Sequence, residues 1–293
     1  MLKFYQLAVV AAAVALAGCG GKTIKPIVVG SQNGTAQTVV GEIVAQHLEH
    51  RMARKIGRTL GAANELGVYQ LLLAGEITLY PTFTGNIETL IIREPPSSDP
   101  SVVWTRSQTE MSRTAHLDLF NPLGYENPPA MVIRTADAEA GNAATLGQAA
   151  EGKTQWKIGV SYEFQQRSDA LQALSSYKLP MSQAIRGMEA RQLFPSLDKG
   201  DLTMIAADST DGHLTLPNYR LLADDRHAFT PNQACLLVRQ DTLAAEPAMR
   251  AYLAELSGKF TTEAVRKMSA EVELDHRQPA EVAAAFLAQA GLK

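Results

Sequence analysis

Short apolar runs alternate along this chain with longer segments in which apolar residues recur at helical spacing. Residues 27–30 form the first run, and Val40, Val44 and Leu48 then mark one face of a helix with Thr35 as its expected N-cap. The predicted strands cover residues 27–30, 58–62, 77–80, 130–134, 156–160, 204–206, 219–222 and 234–239. Because strands and helices alternate, the pattern predicts an α/β fold.

Residues 75–86, with the sequence GEITLYPTFTGN, contain the clearest candidate for a binding turn. Gly75 is the expected C-cap of one helix, and Pro81 is expected to end the strand at residues 77–80 because proline has no N–H for a ladder. Another helix begins after Asn86. Free N–H groups at the carboxyl end of a strand bind small ligands in open α/β sheets, although an ordinary capped turn has the same pattern.

Two apolar strands, at residues 130–134 and 234–239, flank a middle section that has its own strands and helices. We interpret these strands as two crossings between lobes. Lobe I is then predicted to contain residues 27–130 and 235–293, and lobe II residues 131–234. A cleft between two lobes that are joined by two strands is typical of proteins that close on a ligand by hinge motion.

The N-terminus has the pattern of an export signal. Lys3 precedes an apolar run at residues 7–16, which is too short to span a bilayer, and the small residues Ala17 and Gly18 come directly before Cys19. This ending resembles the lipobox of bacterial lipoproteins, so residues 1–19 are predicted to be a lipoprotein signal peptide that ends at a lipidated Cys19. A plain secretory signal is the alternative, and the choice between inner and outer membrane stays open.

Composition and motifs argue against several classes of function, although an enzyme is not excluded. The 293 residues are 46% hydrophobic and 19% charged, with a net charge of −3 and no basic block, so nucleic-acid binding is not expected. The sequence lacks G-x-S-x-G, Walker A, H-E-x-x-H and C-x-x-C motifs, so no enzyme activity, metal or cofactor is predicted. His47 and His50 are the only close histidine pair, and Cys235 lies in an apolar run typical of a buried strand.

Several short motifs follow one another in an order that is more specific than any one of them. They are Gly30-Ser31-Gln32-Asn33 with Thr35 and Gln37, Gly75-Glu76-Ile77 with Leu79-Tyr80-Pro81, Thr84-Gly85, Glu163-Phe164 with Arg167 and Asp169, Ser209-Thr210-Asp211-Gly212, and Asp224-Asp225 with Phe229 and Pro231. This series resembles the substrate-binding proteins of osmoprotectant ABC importers, of the glycine betaine, carnitine and choline type. The resemblance covers residues 27–272 and implies a two-lobed periplasmic-binding-protein fold of type II, with two crossing strands at the hinge.

In that family an aromatic cage holds a trimethylammonium group by cation–π attraction, and an arginine holds the ligand carboxylate. Carried onto this sequence, the cage keeps a ring at Phe83, whereas Pro129, Asp208 and Asn232 stand at family tyrosines. Tyr125, Tyr162 and Tyr219 are nearby alternatives for the missing rings. The resemblance implies the ligand-binding residues Gln32, Asn33, Gln37, Phe83, Asn86, Asn127, Arg167, Asp208 and Asn232.

The sequence therefore predicts an extracytoplasmic solute-binding lipoprotein that delivers a small zwitterion or polar amine to an ABC permease. Arg167 is expected to hold an anionic group, with Asp208 across the cleft. A carboxylate accepts hydrogen bonds, which a quaternary ammonium cannot donate, so the ligand is expected to carry N–H groups. The alternative function is a sensory or scaffold lipoprotein that keeps the binding-protein fold but serves no transporter.

Overall fold

A computed structural model describes residues 26–293 of the chain. The expected lipidation site Cys19 and the rest of the predicted signal peptide lie outside these residues. Within 26–293, no helix combines the length and the apolar composition that crossing a bilayer requires.

The described residues form two five-stranded sheets, one in each lobe. The first has the strand order β2-β1-β3-β10-β4, and the second has the order β7-β6-β8-β5-β9. The strands are β1 Val28–Gln32, β2 Gly57–Ala63, β3 Leu79–Phe83, β4 Leu117–Leu119, β5 Pro129–Arg134, β6 Ile158–Ser161, β7 Arg186–Met188, β8 Met204–Asp208, β9 Tyr219–Leu222 and β10 Ala234–Arg239.

Helices pack around both sheets. They are α1 Thr35–Met52, α2 Glu65–Ala74, α3 Thr84–Asn86, α4 Pro100–Ala115, α5 Thr135–Gly141, α6 Leu146–Glu151, α7 Tyr162–Gln166, α8 Ser168–Ser176, α9 Leu193–Asp198, α10 Gln240–Ala245, α11 Met249–Ala254, α12 Thr262–Glu273 and α13 Pro279–Gln289. A π-helical segment, Ile87–Ile91, continues α3, and short 3₁₀ segments occupy Ala190–Gln192 and Gly212–Thr215.

The strand that follows each chain crossing is inserted antiparallel into the sheet that it enters. β5 lies between β8 and β9, and β10 lies between β3 and β4, in each case antiparallel to both neighbours. The crossing segments themselves pair at Glu126 and Gln233. These two crossings confirm the predicted fold class, whereas the lobe limits at residues 130 and 235 stay a prediction.

The apolar runs are continuous because both faces of each sheet are covered. In β10, Leu236 and Val238 belong to one apolar cluster, while Cys235 and Leu237 belong to the cluster on the other face. Strands that are buried on both faces have apolar residues at successive positions.

His47 in α1 is fully buried, and its ring nitrogens lie 3.2 Å from the Leu292 carbonyl and 2.9 Å from that of Tyr252.

Pro81 does not end its strand, contrary to the prediction, because β3 continues to Phe83. Pro81 lies opposite Leu236, whose carbonyl accepts a hydrogen bond from Phe120 on the other side of β10. Antiparallel pairs alternate between hydrogen-bonded and non-hydrogen-bonded types, so Pro81 occupies a non-hydrogen-bonded position. On its other side β3 pairs with β1 only at Leu79. The N–H that Pro81 lacks is therefore not needed for a ladder hydrogen bond on either side of β3.

Two helix boundaries also differ from the prediction. The N-cap of α1 is Gly34 rather than Thr35, which is the first helical residue. The helix expected to run on from Ser161 is divided into α7 and α8, because Arg167 adopts an extended backbone with φ −91° and ψ 95°. Ser161 caps α7 as expected, since its hydroxyl accepts a hydrogen bond from the Phe164 N–H.

Gly85 brings the start of α3 against the returning crossing. A Cβ on Gly85 would lie 2.7 Å from the Pro231 carbonyl oxygen and 2.8 Å from the Asn232 Oδ1. We expect Gly85→Ala to lower the free energy of unfolding by about 1–3 kcal/mol, as overpacking does. Urea denaturation measures the change. Gly141→Ala is the control, because its nearest neighbour would lie 3.8 Å away, and equal stability of the two variants would contradict the expectation.

Candidate ligand-binding site

A cleft of about 430 Å³ lies between the two lobes. Three of its lining residues, Gln32, Phe83 and Asp208, are the last residues of β1, β3 and β8, so the carboxyl ends of strands from both sheets meet there. The structure brings all nine predicted ligand-binding residues into the wall of this cleft, namely Gln32, Asn33, Gln37, Phe83, Asn86, Asn127, Arg167, Asp208 and Asn232.

Arg167 reaches across the cleft from lobe II. Its Nη1 donates to the Asn86 Oδ1 at 3.1 Å, while Nε and Nη2 donate to the two carboxylate oxygens of Asp169 at 3.3 and 2.8 Å. The break between α7 and α8 places the guanidinium at this position. Because Asp169 occupies one bidentate edge and offsets the positive charge, Arg167 retains only part of its capacity for a ligand anion.

Asn127 and Asn232 use most of their polar groups to hold the crossings together. The Asn127 Oδ1 accepts from the Ser209 hydroxyl at 3.1 Å and from the Thr210 N–H at 3.3 Å. The Asn232 Nδ2 donates to the Asn127 carbonyl at 2.8 Å, and its Oδ1 accepts from the Asn86 N–H at 3.2 Å. Both residues therefore stabilise the hinge as well as lining the cleft.

Helix α12 adds a further hinge contact. Arg266 donates twice to the Ser209 carbonyl, and Glu273 accepts from the Gly212 N–H at 2.8 Å. Asp211, His213 and Glu273 offer ligand atoms within 4.8 Å of one another. Each of these three side chains already has a protein partner, since the His213 Nδ1 lies 2.9 Å from the Asp211 Oδ1. The cluster is accounted for by hydrogen bonds that tie α12 to the loop after β8.

Phenylalanine supplies all the aromatic rings among the described residues that line the cleft. They come from Phe83, Phe164 and Phe194. Phe83 is only 2% exposed and packs edge to face against Tyr125, with ring centroids 6.0 Å apart. Tyr125, Tyr162 and Tyr219, the sequence alternatives for missing cage tyrosines, do not line the cleft. The open cleft therefore has little aromatic surface for a quaternary ammonium.

Asp208 lies at the end of β8, in the same lobe as Arg167 and not across the cleft from it as predicted. Among the described residues it has no salt-bridge partner. The residue is exposed to the open cleft, but protein surrounds it on its other sides. Displacement of water raises the pKa of the Asp208 carboxyl, and the charge of Asp211 raises it further, against the lowering effects of Asn127 and Arg167. Asp208 is consequently a carboxylate that a bound cation would stabilise.

Gln37 is a buried amide whose hydrogen-bonding capacity is unused. It lines the cleft from the first turn of α1 and is 6% exposed. Neither its Nε2 nor its Oε1 has a hydrogen-bond partner within the part of the chain that the structure describes. An unpaired buried polar group is unfavourable, so this amide is suited to a polar ligand.

Sequence reasoning missed Glu65, a buried carboxylate at the floor of the cleft. It is 4% exposed and accepts hydrogen bonds from Gln32, Tyr80, Thr82 and Asn86 at 2.7–3.0 Å. Its position directly after the N-cap Asn64 was the only local signal, and an acidic residue in the first turn of a helix is common. The partners come from distant parts of the chain, so spacing could not predict this cluster.

Comparison with known proteins identifies the family. A family model described as the substrate binding domain of ABC-type glycine betaine transport system matches residues 25–289. The chain belongs to this family. The predicted resemblance is thereby confirmed, and the chain is the substrate-binding component of an ABC-type transport system, in line with relatives that are solute-binding proteins rather than enzymes.

Two relatives of known function and one solved structure illustrate the similarity. The carnitine transport binding protein OpuCC of Listeria monocytogenes serotype 1/2a (strain 10403S) is 24% identical over 275 residues, which cover 93% of this chain and 89% of that protein. The ergothioneine transport permease/ergothioneine binding protein EgtU of Helicobacter pylori (strain G27) is 23% identical over 269 residues, 92% of this chain but 48% of that protein.

The solved structure is a crystal structure of a glycine betaine/carnitine/choline ABC transporter component. It is 20% identical, with a TM-score of 0.80, and the match covers 91% of this chain and 99% of that one. At this level of identity the likeness establishes the fold alone. It confirms the prediction of a two-lobed binding-protein fold.

The raised pKa of Asp208 predicts how stability depends on pH. The folded state binds the Asp208 proton more tightly than the unfolded chain does, so the free energy of unfolding falls as the pH rises from the ordinary value of 3.8 through the raised pKa. We expect the neutral variant Asp208→Asn to be more stable than the wild type at pH 7. This gain should shrink as the pH falls to about 4, near the ordinary pKa of an aspartate.

Urea denaturation at several pH values measures this difference. Asp225→Asn is the matched control, because the Gly147 N–H holds the pKa of Asp225 below its ordinary value. Its carboxylate stabilises the fold above the ordinary pKa of an aspartate, so the control variant should be less stable than the wild type at pH 7. A loss of stability at pH 7 in Asp208→Asn would contradict the prediction.

Proposed function

We propose that this protein is a lipid-anchored, extracytoplasmic binding component of an ABC importer, which takes up a small zwitterion with N–H donors in the cleft between its lobes. Family membership supports the transport role. The ligand class follows from the charge balance of the side chains that line the cleft.

The cleft has an excess of carboxylates and lacks tyrosine and tryptophan among its described lining residues. It contains five carboxylates and two guanidinium groups; the carboxylates are those of Glu65, Glu163, Glu189, Asp208 and Asp211, and the guanidinium groups those of Arg167 and Arg191. Since Asp169 already pairs with Arg167, the electrostatic balance favours a cationic group. Arg191 and the free N–H groups of Arg167 can still bind the anionic end of a zwitterion.

Hydrogen bonding distinguishes between classes of cation. A trimethylammonium group has no N–H and so cannot donate to Asp208, and Phe83 offers too little exposed surface to compensate by cation–π attraction. An ammonium, guanidinium or imidazolium group can donate to the carboxylate and also to the unpaired Gln37 amide oxygen. An unpaired polar group costs about 1–3 kcal/mol, which corresponds to roughly tenfold or greater discrimination.

Calorimetric titration with glycine, sarcosine, N,N-dimethylglycine and glycine betaine tests the ligand class. These compounds share a carboxylate and differ in the number of N–H donors. We expect a member with N–H donors to bind about tenfold more tightly than glycine betaine. Asp208→Ala should remove this preference by lowering the affinity for the ligands with N–H groups, because these ligands lose their hydrogen-bond acceptor.

Asp201→Ala is the control for the change in charge, since Asp201 is exposed in the same lobe and does not line the cleft. It should leave the preference unchanged. Micromolar binding of glycine betaine that is retained in Asp208→Ala would contradict the proposed ligand class and favour an ordinary osmoprotectant-binding role. Carnitine and ergothioneine, the ligands in the names of two relatives, complete the panel.

The lipid anchor is tested separately. Cys19→Ser removes the thiol that the predicted lipid would occupy, so we expect the variant to leave the membrane fraction and the detergent phase on Triton X-114 partitioning. Cys235→Ser is the matched control, because this buried cysteine lies in β10 and should not affect anchoring. Retention of Cys19→Ser in the detergent phase would contradict the lipoprotein assignment. Uptake of the bound ligand by whole cells would separate a transporter component from a sensory or scaffold lipoprotein.

A further inference from the structure

Two amide side chains of the cleft converge on one buried carboxylate oxygen. The Glu65 Oε2 accepts from the Gln32 Nε2 at 2.7 Å and from the Asn86 Nδ2 at 3.0 Å. Gln32 ends β1 and Asn86 ends α3, so Glu65 joins two separate parts of the lobe I wall. Neither amide is paired through its nitrogen with any other described residue of the chain.

We propose that Glu65 is a positioning residue that sets the ligand preference of the cleft by turning the amide oxygen of Gln32 toward the ligand and that of Asn86 toward Arg167. This inference rests on the proposed function, because it concerns the choice among ligands of the same cleft. Glu65 need not contact the ligand to act in this way.

The orientation of both amides follows from the chemistry of an ionised carboxylate. A carboxylate accepts hydrogen bonds and donates none, so only the NH₂ side of each amide can face Glu65. The carbonyl oxygens must point the other way, toward the cleft. A neutral partner that both donates and accepts would remove this restriction, since either side of an amide could then face it.

The pKa of Glu65 is raised overall by burial, and its hydrogen bonds stabilise the ionised form against that effect. Tyr80 donates to Oε1 at 2.7 Å, and the Thr82 hydroxyl lies 2.9 and 3.0 Å from the two oxygens. With Gln32 and Asn86, four donors surround the group. Burial raises the pKa of Glu65, while hydrogen bonds from Tyr80, Asn86 and Thr82 and the charge of Arg167 lower it.

The orientation has two consequences for a ligand. The Gln32 Oε1 has no hydrogen-bond partner among the described residues, and Gln32 lines the cleft, so this oxygen is available as an acceptor for an N–H donor. The Asn86 Oδ1 accepts from the Arg167 Nη1 at 3.1 Å, so the same carboxylate helps to hold Arg167 in place across the cleft. A flipped Asn86 would present NH₂ to a guanidinium, and that contact would be lost.

Glu65→Gln, which keeps the shape and removes the charge, tests the inference with the same four glycine derivatives. In the wild type we expect the best N–H ligand to bind about tenfold more tightly than glycine betaine, and in the variant this ratio should fall to about twofold or less. If Glu65 has a purely structural role, its replacement should lower the affinity for all four ligands equally and leave the ratio unchanged. That result would overturn the inference.

Two further variants keep the test decisive. Tyr80→Phe removes a donor to Oε1 without touching the two amides, so it should keep the preference even where it lowers stability. Gln32→Met removes the oriented acceptor and leaves Glu65 with three donors. It should lower the ratio as Glu65→Gln does, and it replaces that variant if Glu65→Gln fails to fold. A preserved ratio in Gln32→Met would also overturn the inference.

Side-chain amide NMR signals of the ligand-free protein give a readout that needs no ligand. The NH₂ resonances of Gln32 and Asn86 should shift and broaden in Glu65→Gln and stay unchanged in Tyr80→Phe. Unchanged resonances in Glu65→Gln would overturn the inference whatever the titrations give. If the wild type binds none of the four compounds, the proposed ligand class is wrong. The amide spectra then still show whether Glu65 determines the orientation of the two amide side chains.

Discussion

The exchange of strands between the two halves of the chain is the constraint on which the rest of this structure depends. β5 and β10 are each the first strand after a crossing, and each is inserted between two strands of the sheet that it enters. Neither crossing can shift without loss of ladder hydrogen bonds on both sides of the inserted strand. Pairing of Glu126 with Gln233 keeps the crossings side by side, so strand ends from both sheets stay at one cleft.

This arrangement divides the polar residues of the cleft into two groups. Asn127 and Asn232 find partners within the chain and therefore act mainly in the hinge. Gln37 has no hydrogen-bond partner among the described residues, and the effects of Asn127 and Arg167 do not offset the raised pKa of Asp208, so a bound ligand could still stabilise both side chains. The same types of side chain thus serve structure or recognition according to what the neighbouring backbone supplies.

Most of the strands and the residues of the cleft wall could be predicted because they depend on local patterns. Apolar runs such as residues 234–239 identify doubly buried strands, and the polar residues that follow a strand line its carboxyl end. Three features depended on partners distant in sequence. Pro81 lies within its strand because Leu236 bonds to the opposite side, and the helix breaks where Arg167 reaches Asn86. Glu65 accepts hydrogen bonds from donors that lie 15–33 residues away in the sequence.

The two carboxylates at the cleft differ in how the protein compensates for them. Burial raises the pKa of both Glu65 and Asp208, but Glu65 has four neutral donors, whereas Asp208 faces the open cleft with the like charge of Asp211 nearby. A compensated carboxylate is suited to holding other side chains in place. A carboxylate that is only partly compensated is less stable in its ionised form. A cation that donates hydrogen bonds would therefore stabilise that form most. The incomplete compensation at Asp208 therefore supports the proposed cationic group of the ligand.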